Sequence, residues 1–292
     1  MTAKNIIIKK QKLRNAEYYD FQSVQDKLHE LSGRGKIFNN LIEIITAEEN
    51  IKLAYRNIKK NKGSYTAGTD RKNIKDLAKW QDERLIEYVR KKFEWYTPQT
   101  VRRVEIPKSS DPTKKRPLGI PTIMDRLIQQ CILQVLEPIC EAKFHNRSNG
   151  FRPNRSCETA LAQAEKNMQL SKLHYVVDID IKGFFDNVNH GKLLKQMWTM
   201  GIRDKKLLSI ISAMLKAEVA GIGFPEKGTP QGGIISPLLS NIVLNELDWW
   251  IASQWETMPT HYKYAKFTDK SGIVADSGRS WALKHSNLKE CR

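Results

Sequence analysis

Tyr175-Val-Val-Asp178-Ile-Asp180-Ile-Lys-Gly-Phe-Phe185-Asp186 is the stretch on which the fold turns. From Tyr175 to Ile181 apolar and acidic residues alternate. In a strand, side chains repeat every two residues, so Asp178 and Asp180 fall on one face. Two carboxylates on a largely buried strand are costly to ionise alone. A divalent cation, hard and oxygen-seeking, relieves that cost. So does water at a strand end or a neighbouring lysine, and the segment by itself does not choose between them.

Downstream, 191–218 reads as two helices parted near Gly201. Gly228-Thr-Pro-Gln231-Gly-Gly233 is then a sharp loop ahead of a helix that starts at Ser236 or Pro237 and runs to Trp250 or beyond. Glycines there let backbone approach a ligand, and a helix start favours phosphate. The tail from 257 is polar and Lys-rich, with strand character near Tyr262 to Phe267.

Upstream, 156–170 reads as a helix. Phe144-His-Asn-Arg147-Ser-Asn149-Gly-Phe151-Arg152-Pro-Asn154-Arg155 interleaves aromatics with arginines and amides, which suits a sugar-phosphate backbone and stacked bases as well as an ordinary loop. Pro121 opens a helix whose stripe of Met124, Leu127, Ile128, Cys131, Ile132, Val135 and Leu136 demands burial. Val101 to Ile106 and Lys115 to Ile120 are strands around a Ser109-Ser110-Asp111-Pro112 turn, making a basic hairpin. Its Lys108, Lys114, Lys115 and Arg116 suit a polyphosphate, lysine as a point charge and arginine as a two-pronged donor, and equally suit a solvated face. Helices are expected over 73–94 and from Thr46 to Lys60. Phe21, Val24, Leu28 and Leu31 mark one amphipathic helix in a polar N-terminal extension.

The 292 residues carry 49 Lys and Arg against 32 Asp and Glu, a formal charge of +17. Residues 51–150 hold 22 basic and 11 acidic side chains, so that third supplies +11 of the surplus. Such a localised excess predicts a polyanion-binding face, nucleic acid first. With 40% hydrophobic residues the chain can build a core, which excludes general disorder. No apolar run is long enough to span a membrane. Cys131, Cys140, Cys157 and Cys291 are spaced like neither a zinc site nor a disulfide framework, so reduced thiols and a cytoplasmic location are expected.

Taken in order, RRVEIPK (102–108), RPLGIPTIMDRLIQQ (116–130), NGFRPNRS (149–156), VVDIDIKGFFDNVNH (176–190) and GTPQGGIISPLLSNIVLNELD (228–248) resemble the reverse transcriptases encoded by group II introns, the maturase type. The resemblance covers roughly residues 45–250. It implies an α+β right-hand polymerase: an extension over 1–44, helix-rich fingers with a basic β-hairpin over 45–170, and a partial palm with a truncated antiparallel sheet over 171–292. It also implies RNA-directed DNA synthesis with Mg2+ and deoxynucleoside triphosphates. Its partners would be group II intron RNA and an RNA template with a DNA primer, with a second copy of the chain as a candidate partner. Asp180 resembles the first metal-binding aspartate, with the Ile181 carbonyl beside it as a metal ligand. Phe185 resembles the steric gate against a ribonucleotide 2′-hydroxyl. Lys108 and Arg116 resemble the residues gripping the triphosphate, and Gln231 the glutamine near the nascent base pair. Arg152, Asn154 and Arg155 resemble the template-contacting loop.

Two departures stand out. The family pattern Gly-x-Asp-Gly is here Gly68-Thr-Asp70-Arg71, with a bulky residue where the turn favours glycine. The Tyr-Ala-Asp-Asp box, with the remaining metal-binding aspartates, is absent: Tyr264-Ala-Lys-Phe is not it, and the segment ALKHSNLKEC (282–291) that precedes it in the family lies at the chain's end. Thumb and maturase regions are missing as well. The chain alone is therefore expected to be inactive as a polymerase. The rival reading is an RNA-binding, splicing-assisting protein with a vestigial polymerase.

Overall fold

The computed structural model describes residues 15–108, 111–170, 175–178, 180–230, 232–255 and 280–283. Its centre is α6 (Ile123–Glu141), apolar around most of its circumference and buried accordingly, from Ile123 and Leu127 through Ile132 and Leu136 to Cys140. It begins two residues after Pro121, because Thr122 is the cap: the Thr122 hydroxyl accepts from the Asp125 amide at 3.2 Å.

α1 (Gln22–Gly33) and α3 (Glu48–Lys60) lie against α6. Phe21, just ahead of α1, and Leu28 within it are buried, with Val24 and Leu31 partly buried against the same cluster, so the expected stripe of the N-terminal extension belongs to the same core as α6. Pro138 has no amide to give the carbonyl of Gln134 one turn earlier. Gln25 of α1 supplies the bond instead, its Nε2 donating to that carbonyl at 2.9 Å. Ser32 donates likewise to the Ile139 carbonyl at 2.7 Å. On the α3 side, fully buried Asn50 donates to the Ile45 and Cys131 carbonyls and accepts from Gln134 at 2.6 Å. A polar pair is tolerated in the core because both ends are bonded.

The expected helix over 73–94 is two: α4 (Ile74–Leu77), opened by an Asn73 and Asp76 capping box, and α5 (Asp82–Glu94). The break sets the Trp80 ring edge-on to Tyr88 at 5.4 Å. β1 (Arg102–Lys108) and β2 (Asp111–Ile120) form the antiparallel hairpin, in register from Arg102 opposite Ile120 to Pro107 opposite Lys115. The register shifts after Pro107, which has no amide for the ladder. Ser109 and Ser110 of the expected turn lie outside the described residues.

α7 (Cys157–Gln169) follows as expected. β3 (Tyr175–Asp178) is shorter than the expected strand, ending at Asp178, so Asp180 and Ile181 lie beyond it. After the short α8 (Phe184–Asn187), α9 (His190–Thr199) and α10 (Lys205–Leu215) part at Gly201. There buried Asp204 caps two helices at once. Its carboxylate accepts from Leu207 of α10 at 3.0 Å and from Leu41 at 2.7 Å and Ile42 at 3.2 Å, the start of α2 (Leu41–Ile45). α11 (Ser236–Trp255) completes the helices.

β3 pairs antiparallel with β4 (Ser280–Leu283), Asp178 opposite Ser280. The strand expected near Tyr262 to Phe267 lies outside the described residues, and β4 was not anticipated. The architecture is thus helix-rich α+β with two separate two-stranded sheets among the described residues. No helix among them is long and apolar enough to cross a membrane. Cys131 and Cys140 are buried free thiols and Cys157 is exposed.

Candidate functional site

The loop after residue 227 brings the motifs together. One peptide unit, between Gly228 and Thr229, is gripped at both ends. Its N–H donates to the Phe185 carbonyl at 2.7 Å, and its C=O lies 2.7 Å from Nε2 of His190. The Gly228 amide donates to the Val188 carbonyl at 2.7 Å. Gly228 has φ +94, and a Cβ there would stand 3.0 Å from the Phe185 carbonyl oxygen, so glycine is required twice over. On its far side the loop meets the hairpin. Gly232, at φ +112, leaves no room for a Cβ against the Gly119 carbonyl and the Leu118 side chain of β2. α6 joins through Gln129, whose Oε1 accepts from the Ile234 amide at 2.8 Å. Ser236 closes the turn, its hydroxyl donating to the Pro230 carbonyl at 2.8 Å. Gln231 itself lies outside the described residues.

Asp180 is exposed and Ile181 is 40% exposed, in the link between β3 and Gly183, whose φ of +62 turns the chain into α8. A carboxylate and a backbone carbonyl are hard oxygen donors of the kind Mg2+ takes. Among the described residues no three His, Cys, Asp or Glu side chains cluster to hold a metal, so no two-ion centre is complete there. Phe185 is half-buried, its ring edge-on to Phe184 at 5.7 Å.

Side chains alternate along the hairpin, so Val104, Ile106, Arg116 and Leu118 share one face. Leu118 lies over Gly232, so this is the face toward the loop, and exposed Arg116 stands on it two residues from Leu118. On the opposite face Arg103 and Lys115 are held by Glu105, at 3.9 and 3.6 Å. Lys108 ends β1 opposite Asp111; its side chain lies outside the described residues.

The 149–155 loop divides its arginines. Arg152 is 8% exposed. It donates to both Glu141 carboxylate oxygens, at 2.8 to 3.0 Å, and to the His145 and Ser148 carbonyls at 2.6 and 2.8 Å. Four of its five N–H groups are spent inside the protein, so Arg152 holds the loop's shape. Arg155 is partly exposed and donates to the Asn146 carbonyl at 2.6 Å. Asn154 (φ +58) and Phe151 (φ +53, 63% exposed) sit in left-handed turns at the surface. The loop is moored to α11 by Asn241, whose amide donates to the Gly150 carbonyl at 2.8 Å. Sequence reasoning missed Gln129, His190 and Asn241. Each lies within a recognised motif, yet its partner is 38 to 105 residues away.

The family model described as "Reverse transcriptase (RNA-dependent DNA polymerase)" matches residues 106–288. Over 226 residues the chain is 38% identical to the group II intron-encoded protein LtrA of Lactococcus lactis subsp. cremoris, covering 74% of this chain and 36% of that one. It is 36% identical over 231 residues to protein YkfC of Escherichia coli (strain K12), covering 74% of this chain and 58% of that protein. Among solved structures, the "Partial Cas6-RT-Cas1--Cas2 complex" aligns at a TM-score of 0.48 and 22% identity, covering 84% of this chain and 38% of the other. The chain therefore spans only part of the length of these relatives, and by family it is a reverse transcriptase of the group II intron-encoded, maturase type.

Proposed function

We propose that the protein containing this chain is an RNA-directed DNA polymerase that also binds intron RNA, and that residues 45–170 and 171–292 belong to its fingers and palm. The carrying observation is the single loop, 228–236, bonded at once to the Phe185 to Val188 segment and to α6 and packed on the hairpin base. That convergence joins the base of the cationic hairpin and the segment carrying the half-buried Phe185 ring to one backbone hub, which supports this reading.

In this reading Asp180 and the Ile181 carbonyl contribute oxygen ligands to Mg2+, which when bound offsets charge building on the primer 3′-oxygen and the leaving pyrophosphate. Lys108 and Arg116 bind the triphosphate, arginine in two-pronged fashion. Phe185 closes the space a 2′-hydroxyl needs, and Gln231 lies along the nascent pair. Asn154, Arg155 and the exposed Phe151 ring meet the RNA strand, while Arg152 keeps their loop rigid. The cytoplasmic setting expected from the sequence fits this reading.

The test is primer extension on an RNA template by the protein carrying this chain together with the downstream Tyr-Ala-Asp-Asp segment. D180A is expected to abolish synthesis and leave RNA affinity unchanged. An active D180A, or one that has also lost RNA binding, would sink the assignment. A wild-type protein that binds intron RNA and never extends a primer would favour the splicing-assistance reading.

A further inference from the structure

His190 opens α9 and is 5% exposed. A carbonyl oxygen only accepts, so at 2.7 Å from the Gly228 oxygen Nε2 must carry the proton. In the neutral ring Nδ1 is then a bare lone pair, and that atom is buried with no hydrogen-bond partner among the described residues. As core filling this is poor chemistry: leucine would occupy the space without an orphaned polar atom. What histidine adds is an N–H at that reach, aimed at one end of the Gly228 to Thr229 peptide plane.

The other end of the same plane donates to Phe185. Glycine at φ +94 has little side-chain resistance to rotation of that plane, so two bonds set its orientation, one from Phe185 and one from His190. With the His190 bond removed, the plane can turn about the remaining contact. Phe185 and the chain that runs on from Thr229 then lose their fixed relation. We infer that His190 is a positioning residue that fixes the Phe185 ring against the loop, and so governs discrimination between deoxyribonucleotides and ribonucleotides. This rests on the polymerase reading above, in which Phe185 meets the sugar.

The experiment compares H190L, which keeps volume and loses the donor, with H190Q, whose side-chain amide reaches about as far as Nε2 and keeps it. In the protein carrying this chain together with the Tyr-Ala-Asp-Asp segment, single-nucleotide insertion on an RNA template is measured with each deoxynucleotide and its ribonucleotide counterpart. H190L is expected to raise the deoxynucleotide KM about tenfold with kcat changed less than about threefold, and to lower the deoxy-to-ribo preference about tenfold; H190Q stays within about threefold of wild type on all three. H190L and H190Q behaving alike, or a fall in kcat with the preference intact, overturns the inference. In the unsubstituted protein, nitrogen NMR of the imidazole is expected to show a protected Nε2–H and an unprotonated Nδ1; the opposite tautomer overturns the contact without reference to activity. A wild-type protein that makes no DNA overturns the polymerase reading itself and the discrimination role with it. Normal synthesis with wild-type discrimination in H190L overturns the role of His190 alone.

Discussion

Arg71 sits at φ +58, in the left-handed region, as the third residue after Gly68 in a turn closed by its amide on the Gly68 carbonyl at 3.4 Å. A side chain in that conformation costs about 1–2 kcal/mol that glycine avoids, partly offset by glycine's greater freedom in the unfolded chain. R71G is therefore expected to stabilise the fold by about 0.5–1 kcal/mol, seen as a higher urea midpoint with an unchanged slope; R71A is not. Gly68 is the opposite case, for a Cβ there would stand 2.7 Å from the Cα of Thr122. A second residue-scale effect concerns pH. Burial, reinforced by Glu141 on the next turn, pushes the Glu137 carboxyl up to about 7. A carboxyl whose native pKa lies above its unfolded value stabilises the fold fully below about pH 4.5, and that contribution is lost as pH rises through 7. E137Q keeps the neutral form throughout. Between pH 5 and pH 8 it is expected to gain up to about 3 kcal/mol relative to wild type in chemical unfolding. Equal pH profiles for the two proteins would show that Glu137 is solvated.

At the scale of elements, α1 and α6 are joined by a repair. Pro138 orphans the Gln134 carbonyl, and Gln25 restores its bond across the helix pair. Q25A is expected to cost about 1–2 kcal/mol, an unsatisfied buried carbonyl being the cause, and clearly less in a P138A background, where the helix can supply its own amide. A double-mutant cycle in urea checks it, and additive costs would refute the repair. The same contact explains what sequence could and could not tell. The stripe Phe21 to Leu31 reads as a helix because its period is local. Gln25 reads as a solvent-facing residue because its partner is 109 positions on. The hairpin was legible for the same reason as α1. The length of β3 was not, because its partner Ser280–Leu283 is a hundred residues away and carries little strand signature of its own. In the site, the glycines at 228 and 232 declared a tight approach, but what approaches them, Phe185 and Gly119, only the fold reveals. At Arg152 the sequence shows a cation and conceals Glu141, which neutralises it inside the protein.

For the whole molecule, a formal charge of +17 must be spread so that the fold survives its own repulsion, and the hairpin shows how. One face carries exposed Arg116 beside Val104, Ile106 and Leu118, toward the 228–236 loop. The other sets Glu105 between Arg103 and Lys115. Exposed pairs of this kind contribute only about 0–1 kcal/mol to stability, so Glu105 matters more as a brake on anion binding than as a brace. RNA affinity is expected to fall steeply with salt, since each lysine or arginine meeting a phosphate releases condensed counterion. E105Q frees two cations. It is expected to bind single-stranded RNA several-fold more tightly at low salt and to steepen the slope of log affinity against log salt by about 1, with the unfolding midpoint little changed. Fluorescence anisotropy across a potassium chloride series measures both quantities. An unchanged slope would mean that this face of the arm points away from RNA, leaving the Arg116 face as the one that meets phosphate.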